Sequence, residues 1–188
     1  MIVVLLGPHG VGKTTLGRAL SARLGWCFDE EIGRRLAADV RWRPQGRRTD
    51  EPQEEFDGEV FRLELERDQQ RGPDSPRVVE TWHPGNLAYA ATRSPRVVRR
   101  YLEPVRHQVA ARRAFVVHLT AQRATLARRQ SFEGTIEYFE RVGRASARWA
   151  RRLGLVHGTT LSTDDLDPDA LAARVIERLA TWRRQPCE

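Results

Sequence analysis

The 188-residue sequence predicts an α/β fold, a three-layer α/β/α sandwich built on a parallel, five-stranded sheet. Three observations carry that expectation. Short apolar, β-branched runs alternate with longer segments of helical spacing, the pattern of strand–helix–strand units with right-handed crossovers. The first run, Ile2-Val3-Val4-Leu5-Leu6, has no polar interruption, as a central strand covered on both faces requires. It leads directly into Gly7-Pro8-His9-Gly10-Val11-Gly12-Lys13-Thr14, a complete G-x-x-x-x-G-K-[ST] phosphate-binding loop that opens a helix.

The elements follow in order. Thr14 to Leu24 carries Leu16, Ala19, Leu20 and Leu24 on one helical face. Trp26-Cys27-Phe28 reads as a short second strand ending in Asp29, Glu30 and Glu31, and a helix to about Asp39 turns Ile32, Leu36 and Val40 inward. Arg41 to Pro52 holds two prolines, a glycine and the arginines Arg41, Arg43, Arg47 and Arg48, an irregular basic loop. From Gln53 to about Arg71 a polar helix shows Phe56, Val60, Phe61, Leu63 and Leu65, and Gly72-Pro73-Asp74-Ser75-Pro76 ends it.

Val78-Val79 forms the core of a third strand closed by Glu80. His83-Pro84-Gly85 is expected to turn into a short helix, Asn86 to Ala91; Ser94-Pro95 starts another, which Pro104 should kink or break. Phe115–Leu119 is the fourth strand, followed by helices at about 121–129 and 135–153. A last strand near Leu155–Leu161 and a helix opened by Asp167-Pro168 complete the pattern.

Composition narrows the class. The length suits a single domain, residues 1–188, and no apolar segment approaches the roughly 20 residues that span a bilayer. The N-terminal run is too short for a signal peptide, and Cys27 and Cys187 have no metal-ligand spacing, so a reduced, cytoplasmic setting is expected. The net charge of +7 invites a nucleic-acid reading, but the arginines are dispersed among 25 acidic residues and no nucleic-acid module is present. A homodimer is compatible with this composition.

Among 32 basic residues the only lysine is Lys13. A compact ammonium on a flexible stem can reach the β- and γ-phosphates where a planar guanidinium fork cannot, so a chain otherwise purged of lysine keeps it there for function. The backbone N–H groups of the loop would cradle polyphosphate, with the Thr14 hydroxyl on Mg²⁺.

In a parallel sheet the active site lies beyond the carboxyl ends of the strands. Two other strands end in acids there. Glu80 is expected in the magnesium shell, and one of Asp29 or Glu31 at the hydroxyl of a phosphate acceptor. The competing reading of such acids is the helix N-cap. Trp82 and His83, just past Glu80, read equally as a stacking wall for a substrate ring or, for Trp82, as a core anchor.

These residues resemble the P-loop kinases of small metabolites, the group of thymidylate, deoxynucleoside, shikimate and nicotinamide riboside kinases. Glu80-Thr81-Trp82-His83-Pro84-Gly85-Asn86-Leu87-Ala88-Tyr89-Ala90 is similar to the Asp-Arg-Tyr…Ser-x-x-Ala-Tyr-Gln segment of thymidylate kinases. Leu24 to Ile32 is similar to the strand and Asp-Glu-Glu-Ile run of shikimate kinases, and Glu31-Ile32-Gly33-Arg34 to the Glu-x-x-Arg of the riboside kinases.

The resemblance implies a P-loop NTPase fold of the nucleotide-kinase type and Mg²⁺- and ATP-dependent transfer of the γ-phosphoryl group to a small polar acceptor, such as a nucleoside, nucleotide or related metabolite. It implies nucleotide contacts from Gly7, Pro8, His9, Gly10, Val11, Gly12, Lys13, Thr14 and Thr15. Acceptor contacts would come from Asp29, Arg34, Glu80, Trp82 and His83. An arginine-bearing lid at about 121–152 would bring Arg123, Arg128 and Arg129 to ATP, with Arg128 neutralising transition-state charge and Ser131-Phe132-Glu133-Gly134 as hinge or tip. A solvated arginine face is the alternative for each of the three.

The chain departs from thymidylate kinases at Thr81, where they carry a phosphate-gripping arginine, and at His9, where they usually carry an acid or arginine. A nucleotide-hydrolysing switch or binding protein with no acceptor is the second functional class. An Asn-Lys-x-Asp base-recognition segment is impossible with no second lysine, which argues against a GTPase switch.

Overall fold

The computed structural model describes residues 1–39, 42, 53–129, 135–164 and 167–184. Val40, Arg41, Arg43, Arg47, Arg48, the stretch 131–134 expected as hinge or tip, and Cys187 lie outside the described residues.

Among the described residues five strands form one parallel sheet in the order β2-β3-β1-β4-β5: β1 (Ile2–Leu6), β2 (Cys27–Asp29), β3 (Arg77–Glu80), β4 (Ala114–Thr120) and β5 (Gly158–Ser162). The uninterrupted apolar run of β1 is explained by its position. It is central, all five of its residues are buried, and its side chains alternate between two cores as the period of 2 demands.

Ile2, Val4 and Leu6 enter one core with residues of α4 (Trp82–Arg93), α5 (Pro95–Ala110) and α7 (Ile136–Arg152), and with Phe61 of α3 (Glu54–Arg71). Val3 and Leu5 enter the other with Leu16 and Leu20 of α1 (Lys13–Leu24) and Val175 and Leu179 of α8 (Pro168–Arg183). Each such side chain removed from water is worth about 1.5–3 kcal/mol, so the two faces of one strand nucleate both outer layers of the sandwich. Two short helices, α2 (Ile32–Ala37) and α6 (Arg123–Arg129), cover the carboxyl end.

Three local expectations are corrected. His83-Pro84-Gly85 is not a turn before a helix but the first turn of α4, which starts at Trp82. The chain enters it through positive φ at Thr81 (69°) and Trp82 (45°), and Pro84 sits where a helical N–H has no partner in any case. Pro104 does not end α5, which runs on to Ala110; Pro104 is exposed, so the carbonyl it leaves unpaired faces water. The fifth strand begins at Gly158 rather than Leu155, because Gly154 (φ 79°) turns the chain out of α7 and Leu155 is spent on the core.

Candidate active site

The phosphate loop joins β1 to α1. Gly7 has φ 141°, and a Cβ there would lie 2.4 Å from the Leu119 carbonyl of β4, so the loop is seated against the sheet through a position only glycine can occupy. Gly10 and Gly12 take φ 78° and 95°, turning successive N–H groups into the concavity ahead of the α1 N-terminus. Lys13 is 5% exposed, and its Nζ donates to the carbonyls of Gly7 (3.2 Å) and Pro8 (3.1 Å), bridging its own loop. Helix α7 closes on the loop from above: a Cβ on Gly143 would lie 2.9 Å from Pro8 N and Cδ.

Glu80, the last residue of β3, is 3% exposed and faces the loop. The Thr14 hydroxyl lies 3.1 and 3.0 Å from its Oε1 and Oε2. Arg34 of α2 donates to Glu80 Oε2 (2.5 Å) and to Thr14 Oγ1 (2.8 Å). Burial acts to lower the Arg34 pKa, but the Glu80 charge and hydrogen bond more than offset it, and the guanidinium stays charged.

The backbone beyond Glu80 is strained. Thr81, with φ 69° and ψ −56°, occupies the γ-turn region, which costs a β-branched residue about 1–3 kcal/mol. Its amide is held by the Leu5 carbonyl at 2.9 Å, and its hydroxyl donates to Glu31 Oε2 at 3.0 Å. Gly85 makes room for it, since a Cβ there would lie 2.4 Å from Thr81 Cγ2. The strained turn thus aims Glu80 one way and fixes the Glu31 carboxylate the other.

Two cavities meet at this point. One, of about 500 Å³, follows the loop from His9 to Leu16 and continues along Arg129, Thr163, Pro168 and Leu171. The other, of about 130 Å³, lies between α2, α3, α4 and α7, with Glu31, Gly33, Phe56, Asp57, Asn86, Tyr89, Arg93 and Phe139 among its lining residues. His9 and Arg34 line both. Burial, followed by the Lys13 and Arg34 charges, pushes the His9 pKa down to about 4, so its imidazole is neutral at pH 7; its ring centroid lies 5.2 Å from that of Phe139.

At the far end of the smaller cavity a buried ion pair spans α3 and α4. Arg93 Nε lies 3.2 and 3.0 Å from the two Asp57 oxygens and Nη2 donates to Oδ1 at 2.6 Å, while Ser94 Oγ donates to Oδ2 at 2.7 Å. The Arg93 guanidinium also lies over the rings of Phe56 and Tyr89, 5.6 and 5.5 Å from their centroids. Asn86 Nδ2 donates to buried Glu64 (3.3 Å).

The structure therefore brings together Lys13, Thr14, Glu80, Glu31, Arg34 and His9, and separates other candidates from them. Asp29 is 4% exposed and lines neither cavity. It accepts from Arg71 (3.2 Å), and Arg77 Nε sits 3.1 Å from its Oδ2 without the alignment of a hydrogen bond. The side chain at the end of β2 serves the sheet edge, whereas Glu31, at the N-cap position of α2 with no side-chain cap hydrogen bond, lines the smaller cavity.

Trp82 and His83 are fully buried and are not a substrate wall. Trp82 Nε1 lies 3.3 and 3.2 Å from the two Asp68 oxygens, and His83 Nε2 lies 2.9 Å from Oδ2. Buried Arg77 donates to the same carboxylate, so Asp68 of α3 anchors the start of α4. Burial would raise the Asp68 pKa, but His83, Arg112 and Arg77 together lower it.

Of the three arginines expected in a lid, only Arg129 lines the loop cavity, where it donates to Thr163 Oγ1 (3.0 Å) and to the Thr163 carbonyl (3.1 Å). Arg123 pairs with Glu137 at the surface and Arg128 lies 3.4 Å from Thr125 Oγ1.

Sequence reasoning passed over Phe56, Asp57, Arg93 and Phe139, which carry no spacing signal. Asn86 and Tyr89 stood inside the Glu80–Ala90 segment already singled out, and that segment was the signal available for them.

A 43-residue stretch is 49% identical to shikimate kinase 1 of Yersinia enterocolitica and equally to that of Serratia proteamaculans, covering 21% of this chain and 25% of each relative. The match thus spans a quarter of the length of those proteins. Among solved structures, the NadR protein in complex with NR superposes with a TM-score of 0.67 at 16% identity, over 100% of this chain and 52% of that one. Deoxyadenosine kinase from M. mycoides with bound dATP also gives 0.67, at 12% identity over 96% of this chain and 100% of that one. Shikimate kinase from Acinetobacter baumannii in complex with shikimate gives 0.59, at 20% identity over 98% and 95%.

Those likenesses establish the fold as that of the P-loop small-metabolite kinases. The profile described as AAA domain matches residues 2–161, taking in the loop, the Glu80 turn and all but the end of β5, and the chain belongs to that family.

Proposed function

We propose that the protein is a Mg²⁺- and ATP-dependent phosphotransferase that moves the γ-phosphoryl group to a hydroxyl of a small polar acceptor. One observation carries this reading: a phosphate-loop cavity and a second, smaller cavity meet at His9 and Arg34, beside the Thr14–Glu80 pair. A nucleotide-dependent switch needs the first cavity and has no use for the second.

Thr14 and Glu80 offer a hydroxyl and a carboxylate, hard oxygen donors of the kind Mg²⁺ takes alongside water and phosphate oxygens. When bound, Mg²⁺·ATP supplies the transferable phosphoryl group and neutralises charge on it. Lys13 exchanges its two loop carbonyls for the β- and γ-phosphates, and Arg34 stands where the γ-phosphate would reach the smaller cavity. Glu31, with Oε2 held by Thr81 and Oε1 without a donor among the described residues, receives the acceptor hydroxyl. As the acceptor oxygen bonds to the γ-phosphorus and the bond to the ADP oxygen breaks, the hydroxyl proton passes to Glu31. Arg129, in the region expected of the lid, and Thr163, just past β5, line the donor end.

ADP release measured with and without a panel of nucleosides, nucleotides and sugars tests the proposal. Acceptor-dependent release that disappears in Lys13→Ala is expected. Strong release that no acceptor changes would favour the switch.

A further inference from the structure

Resting on that function, we propose that the acceptor carries no anionic group: it is a ring-bearing alcohol, neutral or cationic, and the charge pattern of the smaller cavity selects against phosphate esters and carboxylates. The cavity's two described guanidiniums are both already neutralised. Arg93 is chelated by Asp57, with Nη2 at 2.6 Å, and Arg34 is bound to Glu80 at 2.5 Å. Among the described lining residues these two cations are matched by two carboxylates, Asp57 and Glu31, and each guanidinium is already held by a buried carboxylate, so the described wall offers no uncommitted cation to an anionic acceptor.

Redirecting either arginine to an acceptor anion would strip a buried carboxylate of its partner; Asp57 and Glu80 are each 3% exposed. Breaking such a pair costs about 3–5 kcal/mol, more than one new surface-accessible ion pair returns. The γ-phosphate arriving at the cavity junction adds further negative charge. Where thymidylate kinases place an arginine, Thr81 instead holds a carboxylate, Glu31, toward the acceptor side. Phe56, Tyr89 and Phe139 add aromatic surface to that wall, with the Arg93 guanidinium over the first two rings. The volume of about 130 Å³ suits a single inserted ring.

The test is titration calorimetry on the full chain with Mg²⁺ and a non-hydrolysable ATP analogue, using pairs that differ by an anionic group, with size changing in opposite directions: nucleosides against their larger 5′-monophosphates, and the methyl ester of shikimate against the smaller shikimate. At least one neutral member is expected to bind ten-fold or more tighter than its anionic partner. In Glu31→Gln, whose half-exposed side chain can change without disturbing the core, that ratio is expected to shrink several-fold. Tighter binding of the anionic members, a ratio unchanged in Glu31→Gln, or no binding by any member overturns the inference. Transfer assays on the same panel separate it from the parent reading. Phosphorylation of an anionic member alone refutes the charge rule and leaves the kinase standing, whereas ATP turnover with no acceptor dependence refutes the kinase.

Discussion

The donor half of the site and the acceptor half are built in opposite ways. The proposed donor half is nearly contiguous: nine residues from Gly7 to Thr15, on one turn between a strand and a helix, would hold the phosphates largely through backbone groups. The acceptor half is gathered from α2, α3, α4 and α7, and its parts, from Glu31 to Phe139, meet only after folding. In the first, spacing along the chain is itself the geometry. In the second, geometry is a product of packing, and each residue also does an ordinary structural job.

The sharpest way to break this contrast is at Lys13. Removing its ammonium in Lys13→Ala takes a charge from the transferring phosphate but touches no core contact, since Nζ bonds only two loop carbonyls. Turnover should fall by about 10³-fold or more while the thermal midpoint stays within a few degrees of wild type. Steady-state kinetics and a melting curve check both parts. Unchanged turnover would remove the donor half from the chemistry altogether.

Asp57→Ala asks the reverse question of the acceptor half. It leaves Arg93 charged and buried without its carboxylate, a change expected to cost about 3–5 kcal/mol in denaturant unfolding. Donor-site affinity, read by titrating the ATP analogue into the folded fraction, should stay within about two-fold because Asp57 lines only the smaller cavity. A large loss of nucleotide affinity would mean that the two halves are one mechanical unit.

The same contrast explains what the sequence disclosed. The phosphate loop, the central strand and the order of strands and helices were legible because each is written in local spacing. Glu80 was legible because a strand end in a parallel sheet points at the site. Trp82 and His83 were not, because nothing local says that Asp68, 14 and 15 residues earlier, reaches under α4 to take both side chains into the core. Asp29 and Glu31 could not be separated either: two residues apart, the first ending a three-residue strand and the second just beyond it, one turns to Arg71 and Arg77 at the sheet edge and the other to Thr81. The Asp57–Arg93 pair joins positions 36 residues apart on separate helices, the second of which is expected from sequence to end at Ala91, before Arg93.

His9 belongs to both halves, and pH sharpens its part. In the folded protein its pKa is down at about 4, against 6.5 for a free imidazole. Between those values the unfolded chain binds a proton that the folded one does not, so stability is lost as pH falls from about 6.5 to about 4, and His9 adds no further loss below that. With partial solvent screening the contribution is of the order of 2 kcal/mol. Denaturant unfolding across that window should show a shallower slope in His9→Gln. Bound nucleotide should also flatten it, because phosphate charge beside the imidazole favours the protonated form. A slope indifferent to both changes would place the acid sensitivity elsewhere.

The smallest effects separate the two arginine settings of the region expected to close over ATP. Arg123 and its partner Glu137 are 58% and 60% exposed, so Arg123→Ala should cost less than about 1 kcal/mol and leave turnover within about two-fold. Arg129, fixed to Thr163 and lining the donor cavity, should raise the KM for ATP by roughly ten-fold when replaced by alanine, the loss of one charge-assisted contact. The informative result is the ratio. If Arg123→Ala lowered kcat as strongly as Arg129→Ala raises KM, Arg123 would have to leave Glu137 and reach the nucleotide during turnover. The donor half would then share the distributed construction of the acceptor half, and its legibility would end at Thr15.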